Sequence, residues 1–546
     1  MSNMKKLLHF CHYMVSQFCN SIRPKAARLL RLCRDSISSL SRFLLFHVHP
    51  FWIQLSYYLA VSLAGYIALK ATARDGSELR HRELDVFFTS VSATTAASMS
   101  TLEMEELSGA QLLVMIVLML LSGEVFTSLL ELQLLRLKLL KQSRIDDQVN
   151  GPSGFVDSIE LGIPSSAQKI DSNQHNEAKA VSVRNPDMSN KLKYDTATCL
   201  SQIVLGYILL FHVLGSGLIM LYVYLDRDAK QVLEGKGLRA DLFGFFTTVS
   251  TFANCGFVPI NEGMAAFRKS PVLLLILIPQ VLAGNTLYAP CLHVAVWALE
   301  KASVKRKEFG YALRNGREVG YFHLIGSVRS RYICLTALGF VTIQLVLFCG
   351  LEWRSGIMSG LSRYQKLLCS LFQVVNSRHA GESVFDISKV SPAVLVLFLV
   401  MMYLPPYTSF APEKYHQKVV LGRPTGNAIR QQSRTLEGCF TLSQLSYLVI
   451  CIVGICISER RAMADDPLNF SVLNIAIEVI SAYGNVGFST GYSCDRRLKA
   501  DGSCKDALYG FVGRWSKTGK LIIIVVMFFG KLSKFSKRGG KAWDLS

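Results

Sequence analysis

Four short stretches of the chain repeat one pattern that ends on glycine three times and on serine once. Aligned without gaps, they place Ser98, Gly256, Gly381 and Gly487 at one equivalent position. Glycine reaches positive φ without steric cost, so it can turn a chain sharply and aim carbonyl groups at one point. The stretches are SVSATTAASM (90–99), TTVSTFANCGF (247–257), LFQVVNSRHAGE (371–382) and EVISAYGNVGF (478–488).

Each stretch lies between two long apolar segments, and this context predicts a pore. Irregular backbone at membrane depth is tolerated only where protein buries it or water lines it. Four short helices that point their partially negative C-terminal ends at one axis favour a cation there. We therefore expect Ser98, Gly256, Gly381 and Gly487 to form a four-fold cation selectivity filter.

The composition is that of a membrane protein. Hydrophobic residues make up 50% of the 546 residues, charged residues only 18%, and the mean hydropathy is +0.31. Because a spanning helix needs about 20 apolar residues, the sequence predicts an all-α polytopic membrane protein. Eight apolar segments stand out, at about 51–70, 110–130, 199–225, 271–299, 332–351, 392–404, 442–458 and 518–530.

Eight crossings and four pore stretches divide the chain into four pseudo-repeated units of helix, pore loop and helix around one central ion pathway. The polar linker between the first two units lacks apolar periodicity and is predicted to be disordered. The predicted order is a basic cytoplasmic segment (1–50), unit A (51–140), the disordered cytoplasmic linker (141–196), unit B (197–300), a cytoplasmic linker (301–330), unit C (331–405), a cytoplasmic linker (406–440), and unit D with the C-terminal tail (441–546).

The distribution of basic residues predicts the orientation. The net charge is +20, and lysine and arginine cluster in the first fifty residues, in 301–331, in 414–434 and in 531–541. An even number of crossings between these segments would put them all on one side of the membrane. Basic loops stay cytoplasmic. Both termini are therefore expected inside the cell. The same distribution speaks against a nucleic-acid partner.

The second helix of unit C is unusually short. Its apolar run lies between Pro392 and the pair Pro405–Pro406, which allows only about 20 Å of helix at 1.5 Å per residue. The sequence leaves two interpretations open. The segment could partly block the pathway below the filter, or it could be an ordinary short helix ended by proline.

Several longer motifs resemble the plant HKT transporters, which belong to the superfamily of bacterial TrkH and KtrB potassium transporters. The resemblance extends from about residue 45 to the C-terminus. It implies an alkali-cation pathway within one subunit, a homodimer in the plasma membrane, and sodium or potassium held only transiently at the filter. It implies no cofactor. The motifs are VSTFANCGFVP (249–259), VVNSRHAGE (374–382), MMYLPPYTSF (401–410) and ISAYGNVGFSTGYSC (480–494).

The serine at the first filter position implies sodium selectivity by this resemblance, because members with glycine there more often admit potassium. Two physical routes are open. The Cβ of Ser98 could discourage the positive φ that glycine adopts, or the side chain could narrow the ring. Cotransport of sodium and potassium, or potassium permeation, is the alternative function.

Lys531 is the candidate for an electrostatic barrier. Related proteins carry an arginine in the last helix that faces the pathway below the filter, and the matching residue here is lysine. A fixed positive charge on the path would limit the transport rate, although lysine lacks the planar fork of arginine. The alternative is a lysine that extends to the cytoplasmic interface.

Three further residues are expected to support the pore loops, and two cysteines could form a disulfide. Glu382 follows the third filter glycine and could either concentrate cations or make a structural hydrogen bond. Asn254 and Asn485 each stand two residues before a filter glycine and are expected to brace the loop. Cys494 and Cys504 lie in a loop predicted to face the oxidising outside, where they could form a disulfide.

No enzyme is predicted. The stretch GRWSKTGKL (513–521) has one residue too many between its glycines for a phosphate-binding loop, and Leu521 stands where serine or threonine is needed. A non-conducting regulatory subunit would not need four complete pore units. Glu124 and Asn285 lie within apolar segments, where bonding between helices is the expected role. The sequon at Asn469 is a weak signal.

Overall fold

The computed structural model describes residues 50–73, 82–149, 186–302, 306–410, 443–497, 504, 506–507 and 509–536. Its elements are helices, and among these residues the only β-type pairing is an isolated bridge between Tyr492 and Ala507. The chain divides into two compact parts, residues 1–60 and residues 61–546. All packing described below lies within the second part.

Unit A supplies a first helix, a pore helix and a bent second helix. They are α1 (Pro50–Ala71), the pore helix α2 (Glu83–Thr95), α3 (Gly109–Ser122) and α4 (Glu124–Val149). A capping box at Ser108 starts α3, because its hydroxyl accepts a hydrogen bond from a backbone N–H of the first turn.

Unit B repeats this order with one extra helix outside the pore. It contains α5 (Pro186–Leu225), α6 (Arg227–Gly235), the pore helix α7 (Ala240–Phe252), α8 (Pro271–Ala283) and α9 (Tyr288–Ala302). The pore helix is buried along its last seven residues. Its threonine and serine side chains are therefore held inside the protein.

Unit C has the shortest second helix. After α10 (Arg306–Val319), the unit consists of α11 (Ser327–Glu352), the pore helix α12 (Arg363–Asn376) and α13 (Pro392–Tyr403). α13 has 12 residues, since proline fixes its first turn and the chain leaves the helical conformation at Leu404, before two further prolines.

Unit D consists of α14 (Gln444–Ser458), the short α15 (Arg460–Asp465), the pore helix α16 (Val472–Gly484) and α17 (Lys517–Ser536). The side chain of Ser471 caps α16. The sequon asparagine before it is fully buried and hydrogen-bonded to Asp466 and to the Ser493 carbonyl. This asparagine is a structural residue of the loop that precedes α16.

Two segments that hydropathy predicts as single crossings are each broken. The axes of α3 and α4 differ by 57° across Gly123, and those of α8 and α9 differ by 80° across 284–287. At the second break, a Cβ on Gly284 would overlap the carbonyl of Phe252. The pore loop of unit B therefore passes directly against the break, and only glycine leaves room for it.

Helix length and apolar character agree with a membrane protein. Among the described residues, three helical spans are long and apolar enough to cross a bilayer: Phe51–Ala71, Lys191–Leu225 and Ser327–Glu352. The two bent pairs meet the same test when each is taken as one span. On α5, large apolar side chains such as Val213, which is 71% exposed, point away from the protein.

Candidate ion-conduction site

The four predicted filter positions share one backbone conformation. Ser98, Gly256, Gly381 and Gly487 have φ values of 55°, 76°, 67° and 100°. Of the two routes left open for Ser98, a Cβ that keeps φ negative is not observed, because Ser98 adopts the left-handed conformation despite its side chain. Since the backbone at the four positions is alike, the serine differs from the glycines mainly by its side chain.

The filter positions are neighbours in space, in the order of the chain. A Cβ built on Gly256 would lie 2.8 Å from Ser98 Oγ, and one on Gly381 would lie 2.8 Å from the carbonyl carbon of Gly487. A Cβ on Gly487 would lie 2.6 Å from Ser98 Oγ. The same construction on Gly256 would overlap the Ala380 carbonyl of unit C. The loops of units A, B, C and D therefore close into a ring.

Each pore helix ends in a hydrogen bond that turns the chain into the filter. In every unit, the backbone N–H at the filter position or of the residue before it donates a hydrogen bond to the carbonyl five residues earlier. This is the 6→1 hydrogen bond of the Schellman motif, which ends many helices. The bonds are Ala97 N to Ser92 O (2.9 Å), Cys255 N to Ser250 O (2.8 Å), Gly381 N to Asn376 O (3.1 Å) and Val486 N to Ser481 O (3.0 Å).

Asn254 and Asn485 brace the loops of units B and D in the same way. Both have positive φ, at 53° and 47°. The Asn254 amide donates to the carbonyl of Val281 (3.1 Å), and the Asn485 amide donates to that of Met527 (3.2 Å). Each asparagine thus ties its filter loop to the second helix of its own unit.

Glu382 is buried and does not face outward. Its side chain is 2% exposed, and Oε1 accepts a hydrogen bond from the Thr251 hydroxyl at 2.7 Å. The contact joins the filter loop of unit C to the pore helix of unit B. Of the two expected roles, the geometry matches the structural one.

A second buried carboxylate was missed by sequence reasoning. Glu478 is fully buried in the pore helix of unit D and accepts hydrogen bonds from the Ser489 hydroxyl (2.5 Å) and the Thr490 backbone N–H (3.1 Å). It holds the loop that follows the fourth filter glycine. A charged residue inside an otherwise apolar pore helix is the signal that could have revealed it.

Lys531 is buried inside the protein. Its side chain is 7% exposed, which does not agree with a lysine that extends to the interface. The ammonium donates to the Ser122 carbonyl at 2.9 Å, at the end of α3. Cys255, next to a filter glycine, and Glu124, on the other side of the helix break, both interact electrostatically with it.

Glu124 also faces a polar cluster formed by the inner helices and the segment after α10. His323 Nδ1 lies 3.9 Å from its carboxylate. The hydroxyls of Ser128, Tyr288 and Tyr321 are linked to one another at 2.7–3.1 Å beside this histidine. Glu124 therefore lies between Lys531 and this polar cluster, which is more than the expected role of bonding two helices.

The loop outside the fourth filter glycine is cross-linked. Cys494 and Cys504 form a disulfide, with their Cα atoms 5.9 Å apart. Between them, Arg496 Nη2 donates to the carbonyls of Thr490 and Gly491, both at 3.3 Å. These bonds fix the loop that follows Gly487.

Known proteins match the chain over most of its length. A family model described as TrkH, cation transport protein, matches residues 171–411. Cation transporter HKT1;3 of Oryza sativa subsp. japonica is 42% identical over 544 residues, which is 99% of this chain and 100% of that protein. Sodium transporter HKT1 of Arabidopsis thaliana is 45% identical over 88% of this chain and 92% of its own. The crystal structure of the potassium transporter TrkH from Vibrio parahaemolyticus matches with 16% identity, a TM-score of 0.47, and coverage of 89% of this chain and 83% of that chain.

The helices, the ring of four pore loops and these relatives define a membrane cation transporter and not an enzyme. The relative that matches the whole chain at 42% identity shows the family. The chain belongs to the plant HKT transporters, which are part of the TrkH superfamily.

Proposed function

We propose that this transporter conducts sodium passively, down its electrochemical gradient, through the ring formed by Ser98, Gly256, Gly381 and Gly487. The observation that carries the proposal is the conformation of Ser98. Its backbone has the left-handed conformation of the three glycines, and its hydroxyl lies beside Gly256 and Gly487. A side chain in this place narrows a ring that three glycines leave open. That one relative is named a sodium transporter agrees with it.

Below the ring, Lys531 supplies the fixed positive charge that limits the rate. Its burial against the Ser122 carbonyl keeps the ammonium near the filter loop of unit B. A cation that leaves the filter must pass this charge, which raises the barrier for conduction.

The proposal also covers location and assembly. The clusters of basic residues support cytoplasmic termini, and the family supports a homodimer in the plasma membrane. Cysteine labelling from either side of the membrane tests the orientation. Cross-linking in native membranes tests the dimer.

Voltage-clamp recording in a heterologous cell tests the function, with external sodium and potassium exchanged in turn. We expect the reversal potential of the wild type to follow sodium and not potassium. Ser98→Gly should add a dependence on potassium, because it opens the ring without changing the backbone. A reversal potential of the wild type that follows both ions would favour the potassium-permeable alternative.

Ser98→Ala is the matched control, since it keeps the Cβ and removes only the hydroxyl. We expect this variant to retain the sodium preference, because the Cβ still fills the ring. A loss of preference in Ser98→Ala would assign selection to the hydroxyl. Unchanged sodium preference in Ser98→Gly would contradict the role of this position altogether.

A further inference from the structure

The filter loop of unit C lacks the hydroxyl that holds the loops of units A and D. Six residues before the filter position, units A, B and D have serine, and unit C has Val375. In unit A, Ser92 Oγ accepts a hydrogen bond from the Met99 backbone N–H at 2.8 Å. In unit D, Ser481 Oγ accepts one from the backbone N–H of Gly487 at 2.9 Å. In these two units, the pore helix therefore fixes the filter backbone directly.

Units B and C do not have this arrangement. The serine of unit B, Ser250, has a buried hydroxyl without a hydrogen-bond partner among the described residues, and the valine of unit C has no hydroxyl. The two loops instead pack on each other, since a Cβ on Gly256 would overlap the carbonyl of Ala380. The position of each loop therefore depends on the position of the other.

Two hydrogen bonds link the unit C loop to unit B, one on each side of Gly381. After the glycine, Glu382 accepts from the Thr251 hydroxyl in the pore helix of unit B. Before the glycine, His379 Nε2 lies 2.8 Å from the hydroxyl of Thr286, which stands in the break between α8 and α9. The third filter position is thus held between two contacts with the neighbouring unit.

The geometry fixes the roles of the two ring nitrogens of His379. Nδ1 lies 2.6 Å from the Val375 carbonyl, which can only accept, so this nitrogen carries the hydrogen. In the neutral ring, Nε2 then accepts a hydrogen bond from the Thr286 hydroxyl. Both side chains are buried, so water competes little for this bond.

The equivalent residues of units B and D make a different contact. His379 stands two residues before its filter glycine, as Asn254 and Asn485 do. The amides of these asparagines bind carbonyls in the second helix of their own unit. The imidazole ring is longer than the asparagine side chain, and it reaches the neighbouring unit instead. The histidine therefore joins the filter loop of unit C to unit B.

We infer that His379 is a positioning residue for ion selection, which through Thr286 fixes the filter loop of unit C against unit B. The inference rests on the proposed function, because it assigns what sets the spacing between Gly256 and Gly381 in the conducting ring. Without this bond, the unit C loop shifts away from unit B in part of the population. The widened ring then admits the larger potassium ion.

Two variants remove the bond from opposite sides. Thr286→Val removes the hydroxyl and keeps the shape of the side chain. His379→Asn keeps a donor near the Val375 carbonyl but is too short to reach Thr286. We expect each variant to raise the ratio of potassium to sodium permeability by up to about fivefold, since the net contribution of one neutral hydrogen bond corresponds to about that factor. The ratio is measured from reversal potentials under voltage clamp, with external sodium and potassium exchanged in turn.

The combination of the two variants tests whether they act through one bond. The double variant should change the permeability ratio no more than either single variant, because both remove the same interaction. His379→Gln is the conservative variant, since its amide extends one methylene further than that of asparagine and can reach Thr286. It should keep the permeability ratio of the wild type.

His212→Asn is the matched control. His212 is also buried, and its Nδ1 lies 2.7 Å from the carbonyl four residues earlier, that of Ile208. Its Nε2, however, has no hydrogen-bond partner among the described residues. The control therefore changes the same side chain without removing a bond between units, and it should leave the permeability ratio unchanged.

If His379→Asn fails to reach the surface, Thr286→Val carries the test alone. A conducting Thr286→Val with the permeability ratio of the wild type would overturn the inference. So would a ratio in His379→Gln as far from the wild type as that in His379→Asn, because the bond to Thr286 would then not be the cause. A wild type without sodium preference would contradict the proposed function instead, so the two failures are distinguishable.

Discussion

The Lys531 ammonium donates a hydrogen bond to the Ser122 carbonyl, across 409 residues of sequence and 2.9 Å of space. Ser122 is the last residue of α3, before the 57° break. The last carbonyls of a helix have no partner within it and carry partial negative charge. The break thus creates an acceptor for a buried cation, and this hydrogen bond fixes the position of the lysine.

Removing this charge should increase conduction. We expect Lys531→Met, which keeps the length of the side chain, to raise the current per surface copy, because the electrostatic barrier below the filter is lost. Lys531→Arg should keep the barrier. The measurement is whole-cell conductance normalised to the protein labelled at the surface.

Lys366→Met provides the control for Lys531. This lysine also donates to a backbone carbonyl, that of Trp353 at 3.0 Å, but it lies at the start of the pore helix of unit C. It should leave the conductance unchanged. A current in Lys531→Met equal to or below that of the wild type would contradict the barrier.

The four equivalent pore-loop positions could be predicted from the sequence because the pattern around them repeats. Four gapless copies of one pattern align Ser98 with three glycines, and the structure brings these positions together in the predicted order. The bracing role of Asn254 and Asn485 was also predictable, since both stand at one place in the repeat. A repeat reveals equivalent positions without any knowledge of their partners.

The helix breaks and the hydrogen-bond partners of the buried charged residues could not be predicted in this way. Hydropathy reports that 110–130 is apolar but not that the chain bends at Gly123. The bond of Lys531 to Ser122 and that of Glu382 to Thr251 join residues far apart in sequence. Such pairs depend on tertiary packing. The positive φ of Ser98 likewise follows from its place in the ring and opposes the local preference of serine.

Gly487 should tolerate no side chain. Its φ is 100°, and a Cβ there would overlap the Cβ of Ser98 and approach its hydroxyl to 2.6 Å. We expect Gly487→Ala to lose most of the sodium current while the protein still reaches the surface. Ser98→Gly in the same chain should restore part of the current, because it removes the atoms that the new Cβ meets.

Gly263→Ala is the control for backbone strain alone. Gly263 also has positive φ, at 59°, but a Cβ there would meet nothing within 4 Å. Its current should stay close to that of the wild type. The double variant Ser98→Gly with Gly487→Ala could conduct no better than Gly487→Ala alone. In that case, the contact between residues 98 and 487 is not the cause of the lost current.

An ion cluster joins the segment before α3 in unit A to the segments on either side of the pore helix in unit B, and it should respond to acid. Lys236 contacts Glu105 and Glu262, both at 2.8 Å. The hydrogen bonds that Lys236 donates to Glu105 and to Glu262 raise the pKa of Lys236. Burial raises the pKa of Glu262, but the hydrogen bond and the charge of Lys236 outweigh it, so the net shift is downward.

The signs of these shifts define the pH window. The lowered pKa of Glu262 gives stability that is present above its ordinary value of 4.5 and is lost as the pH falls through the folded value. The raised pKa of Lys236 gives stability that is present below 10.5 and is lost only in strong alkali. The cluster therefore stabilises the protein at neutral pH and loses this contribution in acid.

Thermal unfolding of the purified protein between pH 3 and pH 8 measures this effect. Because the side chains are partly exposed, we expect Lys236→Gln to cost about 1 kcal/mol or less at pH 7. The difference from the wild type should vanish below about pH 4. Lys230→Gln, which removes an exposed helical pair at 3.7 Å, is the control and should show no pH-dependent difference. A difference that persists in acid would contradict the role of Glu262.

The pore helix of unit A is tied to the last helix by a buried ion pair. Lys520 Nζ lies 2.6 Å from Asp85 Oδ1, and the two side chains are 11% and 12% exposed. Removing one partner of such a pair leaves the other charge in a poorly solvated place. We expect Asp85→Asn to destabilise the protein by about 3–5 kcal/mol, measured by thermal unfolding and by the amount at the cell surface.

Lys520→Met should be less harmful than Asp85→Asn. The Asp85 carboxylate keeps a second cation, Arg82, 3.6 Å from Oδ2, whereas the structure gives Lys520 only the carboxylate of Asp85 as an ion-pair partner among the described residues. The double variant should lose much less stability than the sum of the two single losses, since neither charge is then left buried alone. Removing the exposed pair between Arg239 and Asp241 should have no measurable effect. Equal losses in the two single variants, or additivity in the double variant, would show that the pair does not hold α2 to α17.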